Sequence, residues 1–251
     1  MKKIIKILLA VSLSFTFIQN IQVIKANERI NIQNKLSDFS KPDNPLGWNV
    51  EDVNVFSDFL EEAVTFEVYN NVNMYNGNVK AVSFINSNTE EIVLNVNNKL
   101  YTLYEENEDV YLKNENGNSL LILDFEVTNI SNASRATNGA YVSDDDHLYT
   151  NDIGPFTKTG RYVIDILSFI SDVTGYLIEH PILGKIYIAT SIAKEVMAQS
   201  GYMTSYIKFW QANKKTDMSY VREKQEWYSS SSYSSSSFLK TYTRYFDTAR
   251  P

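Results

Sequence analysis

Residues 161–199 constrain this chain more tightly than any other stretch. Within Arg161–Glu179 the polar positions Arg161, Asp165, Ser168, Asp172, Gly175 and Glu179 fall at steps of four and three. On a helix they form one narrow stripe, and residues such as Ile166, Leu167, Phe169, Ile170 and Val173 cover the remaining surface. His180-Pro181 ends the segment, because proline disfavours helical backbone in the residue before it. Ile182–Gln199 is a second apolar stretch, with Ile186, Ala189, Ile192, Ala193 and Val196, and it stops at Gly201. Helices this apolar have to be covered, by protein or by lipid. Each carries charge and neither offers the roughly 20 uninterrupted apolar residues of a bilayer span. Burial in a folded domain is therefore the expectation, with lipid insertion as the alternative.

Beyond Gly201 the hydrophobic period changes from helical to two. Tyr202–Ala212, Met218–Tyr228 and Phe238–Phe246 alternate and are rich in aromatic and β-branched residues, which predicts strands. Lys214–Asp217 reads as a hairpin turn, and Ser229–Ser237, all serine except Tyr233, as a flexible loop of low complexity. If these strands run without bulges, one face collects Lys208, Arg222, Lys224, Lys240 and Arg244 with Tyr206, Trp210, Tyr220, Tyr228 and Tyr242. Cations beside aromatic rings suit an envelope surface: lipid headgroups, an anionic wall polymer or a carbohydrate. They equally suit the solvent face of any antiparallel sheet with cross-strand pairs. These ten residues are the candidate envelope contacts.

The N-terminal half has a different character. Asn49–Ala63 places Val50, Val53, Phe56, Phe59 or Leu60, and Ala63 at helical spacing, with carboxylates on the wet side. Short β-rich runs follow at Val79–Asn86, Ile92–Val96, Leu100–Tyr104, Val110–Lys113 and Leu120–Val127. Asn76-Gly77 and Asn116-Gly117 are strong turn signals, because Asn and Gly tolerate positive φ. The chain is expected to be α+β: an N-terminal helix and antiparallel meander, then an apolar helical pair and a C-terminal antiparallel sheet.

Lys2, Lys3 and Lys6, an apolar run over Ile7–Ile18 and a small-residue site ending at Ala26 form a secretory pattern. Residues 1–26 are expected to be a signal peptide removed by signal peptidase, leaving an extracellular, released chain. Residues 27–150 carry 21 acidic and 7 basic side chains, whereas 151–251 carry 9 and 12. Such asymmetry points to distinct roles for the two halves. The loop-like stretch Asn129–Asn138 suggests a boundary, with an acidic region at 27–135, a possible pro-region, and a basic one at 136–251. Arg135 is a candidate site for an extracellular protease, and an ordinary loop is the alternative.

Catalytic and cofactor motifs are missing. The chain has no cysteine, hence no disulfide or thiol nucleophile. Its two histidines, His147 and His180, lie outside any metal-ligand spacing, and there is no P-loop, G-x-G-x-x-G or G-x-S-x-G. The acidic clusters Glu105–Asp109 and Asp144–Asp146 lack the alternation of a calcium loop. No cofactor, metal, nucleic acid or catalytic residue is expected, though paired carboxylates of a hydrolase are never adjacent in sequence.

The stretch Gly201-Tyr202-Met203-Thr204-Ser205-Tyr206-Ile207-Lys208-Phe209-Trp210, with Val221-Arg222-Glu223-Lys224 and the closing aromatic strand, resembles the C-terminal region of geobacillin-type large bacteriocin precursors of Gram-positive bacteria. The likeness covers roughly the last fifty residues and rests on aromatic placement. It implies a secreted antibacterial precursor whose C-terminal part, freed by proteolysis, acts at the membrane or wall of a target cell. The alternative is a secreted, non-enzymatic binding module of the bacterial surface, in which both halves form one permanent fold.

Overall fold

A computed structural model describes residues 32–71, 82–85, 92–129, 140–141, 149–174, 180–196 and 201–247. The helices are α1 (32–39), α2 (Val50–Val55), α3 (Ser57–Asn71), α4 (Ile164–Thr174) and α5 (Pro181–Glu195). The strands are β1 (Val82–Ile85), β2 (Ile92–Val96), β3 (Lys99–Glu106), β4 (Asp109–Asn114), β5 (Ser119–Asn129), β6 (Ala140–Tyr141), β7 (Ile153–Val163), β8 (Tyr202–Asn213), β9 (Tyr220–Tyr228) and β10 (Phe238–Asp247). They join one ten-stranded sheet in the order β1-β2-β3-β4-β5-β7-β8-β9-β10-β6, and every pairing is antiparallel. The architecture is α+β.

The meander follows from alternation. Ile92, Leu94 and Val96 on β2, Tyr101 and Leu103 on β3, and Val110 and Leu112 on β4 are buried, so one face turns inward. Tight turns join these strands where Asn97, Asn98, Asn107 and Glu108 take positive φ. The apolar helices cover that face. α4 packs against α3 and α5, and α5 reaches β3 and β10. Phe59 of α3 meets Phe169 of α4 edge-on at 5.4 Å. Among the described residues no helix is long and apolar enough to cross a membrane.

Three local readings change. The helix expected from Asn49 begins there, with Asn49 and Asp52 forming a reciprocal capping box, but breaks at Phe56 and resumes to Asn71. The helix expected from Arg161 starts only at Ile164, because residues 153–163 are a strand. That strand, β7, has an inner face of Phe156, Lys158, Gly160 and Tyr162, which breaks the usual apolar alternation. The serine loop, expected to be flexible, has a defined course. Tyr233 takes positive φ and its ring lies edge-on to Tyr228 and Tyr206, and Ser235–Ser237 close a 3-10 turn.

The acidic and basic halves share this fold. β5 and β7, one from each half, are hydrogen-bonded neighbours from Leu123↔Tyr162 to Asn129↔Thr157. A single apolar cluster runs from Leu36 and Phe56 through Leu112 and Phe125 to Ile170, Ile192 and Trp227. α1 and the segment after it strap both halves together. Phe39 contacts Trp48 and Tyr202 edge-on, the Trp48 indole donates to Leu121 O at 2.7 Å, and Lys35 Nζ reaches Asp165 Oδ1 at 3.0 Å. Buried Asp165 also accepts from Gly201 N at 2.7 Å, fixing the start of β8. Of the boundary expected at Asn129–Asn138, Asn129 ends β5, and the rest, with Arg135, lies outside the described residues, as does the signal-peptide site at Ala26.

Candidate functional site

Register decides which of the ten candidate contacts share a face. Directly opposed residues of an antiparallel pair lie on the same side. Tyr206 faces Tyr228, Trp210 faces Lys224 and Ala212 faces Arg222 across β8–β9. Tyr206, Lys208, Trp210, Tyr220, Arg222, Lys224 and Tyr228 therefore occupy the outer face, away from the helices.

Lys240, Tyr242 and Arg244 do not join them. Phe238 opposes Tyr228, but Lys240 opposes Trp227, so a bulge inserts one residue at Leu239. A one-residue slip moves every later side chain to the other side. Tyr242 and Arg244 thereby oppose Gln225 and Glu223 on the inner face, and Lys240 Nζ turns to Glu195 of α5 at 2.9 Å. The single ten-residue face expected without bulges is thus corrected to seven residues outside and three inside.

The outer cations are locally engaged. Arg222 Nη2 and Lys224 Nζ both donate to Asp152, at 2.7 and 3.0 Å. Partial burial works against ionisation of Asp152, yet these two partners hold its carboxyl below the usual range. The Arg222 guanidinium also lies 4.8 Å from the centre of the Tyr149 ring. Lys208 Nζ sits 5.3 Å from the Tyr228 ring centre and 5.0 Å from that of Tyr233. The Tyr228 hydroxyl donates to Glu226 at 2.6 Å, and burial together with that carboxylate pushes its pKa up to about 12. Ser230, Ser232, Ser234 and Ser236 bond hydroxyl to hydroxyl beside this cluster, at 3.0–3.3 Å.

The inner face holds a feature that sequence reasoning missed. Lys158, only 2% exposed, has its ammonium 3.3 Å from Glu108 Oε2 and 3.9 Å from Glu223 Oε1. Glu223, fully buried, accepts from Gln211 at 3.0 Å and from Gln225 at 2.5 Å, and Gln225 in turn accepts from the Trp227 indole at 2.9 Å. Lys185 of α5 reaches Glu105 Oε1 at 2.7 Å and the Glu108 carbonyl at 3.2 Å. The Phe125 ring lies 5.0 Å from the Lys158 ammonium and 5.9 Å from that of Lys185.

The two lysines respond oppositely to similar burial. Desolvation pulls both down, but Glu108 and Glu223 outweigh it at Lys158, whose pKa is raised. At Lys185 burial wins over Glu105 and Glu108, and the pKa is lowered. The Glu105–Asp109 cluster, considered for calcium, thus engages lysines of the other half through Glu105 and Glu108. Asp109 accepts from Phe125 N at 2.8 Å. Among the described residues no group of three or more His, Cys, Asp or Glu is placed to hold a metal. Asp144–Asp146 and His147 lie outside the described residues. His180 caps α5, its Nδ1 accepting from Ile182 N at 3.3 Å.

Chemically, the inner network locks strands and helix together, while the outer face offers rings, hydroxyls and paired charges for contact. The chain matches no protein-family model, no curated protein and no solved structure.

Proposed function

We propose that this chain is an exported, non-catalytic binding module of the bacterial cell surface that works as one permanent fold. On this reading it meets the envelope through the outer face of β8–β9. One observation carries the choice: the β5–β7 ladder and the shared core join the acidic and basic halves. Removing residues 27–135 would strip β1–β5 from the sheet and uncover Phe169, Ile186 and their neighbours. Each such side chain costs about 1.5–3 kcal/mol when exposed to water.

A second reading retains the bacteriocin-like precursor. Cations of the basic half meet carboxylates of the acidic half at Lys158–Glu108, Lys185–Glu105 and Arg161–Asp124, the pairing that a masking pro-region would use. Under that reading a cut near Arg135 frees the C-terminal part to act on a target membrane.

Intact-mass spectrometry on the protein from the producer's medium, with sedimentation on isolated envelopes and a killing assay, separates the two. One species beginning at Asn27, bound to envelopes and harmless to related bacteria, supports the permanent module. A killing fragment beginning near residue 136 supports the precursor and overturns the module.

A further inference from the structure

The charge balance of the outer face limits what it can recognise. Lys208, Arg222 and Lys224 contribute three cations, but Asp152 engages two of them and Glu226 lies directly across from Lys208. Three strand cations against two carboxylates leave about one net charge, and Lys214, 4.7 Å from the Tyr220 ring centre in the β8–β9 turn, has Asp217 beside it. That is too little for strong attraction to an anionic surface through a salt-screened medium. The rings offer no apolar wedge either. Tyr233 meets both Tyr206 and Tyr228 edge-on, and Lys208 sits against Tyr228 and Tyr233. What remains available is half-buried Tyr206, Trp210 and Tyr233 beside the exposed serines Ser232 and Ser236. Rigid amphipathic rings next to adaptable hydroxyls suit a ligand with apolar C–H faces and many hydroxyls.

Resting on the envelope reading above, we infer that this face recognises uncharged sugar rings, the N-acetylglucosamine units of a bacterial cell wall. Sugar rings stack on Tyr206 and Trp210, and the serine loop, pinned by Tyr233, supplies hydrogen bonds. The Asp152 and Glu226 carboxylates keep the flanking cations from capturing anionic polymers instead.

The test uses residues 27–251 with three probes: cell walls stripped of anionic polymers, soluble N-acetylglucosamine oligomers, and phosphatidylglycerol vesicles. Binding is measured at about 50 and about 500 mM salt, which brackets strong and weak screening. The expected result is binding to stripped walls that changes less than about 2-fold with salt and is competed by the soluble oligomers. Tyr206→Ala and Trp210→Ala should each weaken it about 10-fold, in the range of lost ring contacts at a small site, with thermal midpoints recorded as a folding check. Ser232→Arg/Ser236→Arg adds charge at exposed positions while removing two of the loop's hydroxyls, so it should weaken binding. Vesicle binding that collapses with salt, or a gain on adding the two arginines, overturns the carbohydrate assignment but leaves an envelope role standing. Dependence on the anionic wall polymers does the same. Binding to neither walls nor vesicles overturns the envelope reading itself.

Discussion

Exchange at the buried Lys185–Glu105 pair should reveal how firmly the two halves are locked. Lys185 is 3% exposed and the Glu105 side chain 15%, so their losses are unequal when the partner disappears. Lys185→Met leaves Glu105 without its cation but able to draw in water. Breaking a buried pair costs about 3–5 kcal/mol, and partial rehydration brings this case to about 2 kcal/mol. Glu105→Gln takes the nearest carboxylate from Lys185, which has no water to reach and keeps the Glu108 carbonyl at 3.2 Å. Its ammonium either stays without that ion pair or loses its proton, and neutralising an ordinary lysine at pH 7 costs about 5 kcal/mol, an upper bound. Lys185 is the more deeply buried partner, so about 3–4 kcal/mol, within the range for breaking a buried pair, is the expected loss. With a urea slope of about 2–3 kcal/mol per molar, midpoints should fall by about 0.8 M for Lys185→Met and about 1.4 M for Glu105→Gln. The double variant should sit above Glu105→Gln alone, because no stranded charge remains. Unchanged midpoints, or a milder effect from Glu105→Gln than from Lys185→Met, would refute the reasoning.

Two further outcomes follow from local geometry. A Cβ at Gly160 would lie 2.9 Å from the Phe125 ring, so Gly160→Ala should destabilise by about 1–3 kcal/mol in urea titration, and Phe125→Leu should relieve part of that. His180 caps α5 with an unprotonated Nδ1, and burial lowers its pKa below the ordinary value of about 6.5 against the opposing pull of Glu105. The unfolded chain therefore binds that proton more readily. The contribution of His180 is complete above about pH 6.5 and is lost as pH falls through the lower folded pKa. Thermal midpoints between about pH 7.5 and 5.5 should decline in the native chain, and less in His180→Asn, whose amide oxygen can still cap; equal slopes would contradict this.

Much of the fold is written in its periodicities, and the exceptions share a cause. β2–β5 bury alternate apolar residues, and β8–β9 alternate buried with half-buried positions although Ser205, Gln211, Glu223 and Gln225 are among the buried ones, so period two locates them. β7 hides because its inner face carries Lys158 and Gly160, residues that ordinarily mark exposure or a turn. Lys158 is tolerated inside because Glu108 and Glu223 arrive from β4's leading turn and β9, distant segments that no local pattern connects. Gly160 is needed because Phe125 fills the space above it. The candidate face was legible on β8 and β9, where alternation runs unbroken. It failed on β10, where the bulge at Leu239 reverses parity and has no local sequence mark. The charge asymmetry suggested separable halves, yet several of its carboxylates are partners for buried or half-buried cations across one sheet.

The claim that both halves form one cooperative fold is tested most directly by fluorine NMR of residues 27–251 labelled with 5-fluorotryptophan. Its three tryptophans divide between the halves: Trp48 belongs to the acidic one, Trp210 and Trp227 to the basic one. In a urea titration all three native resonances should vanish at one midpoint, with matching unfolded signals growing in. Loss of the Trp48 signal while those of Trp210 and Trp227 persist, or the reverse, would mean that the halves unfold independently.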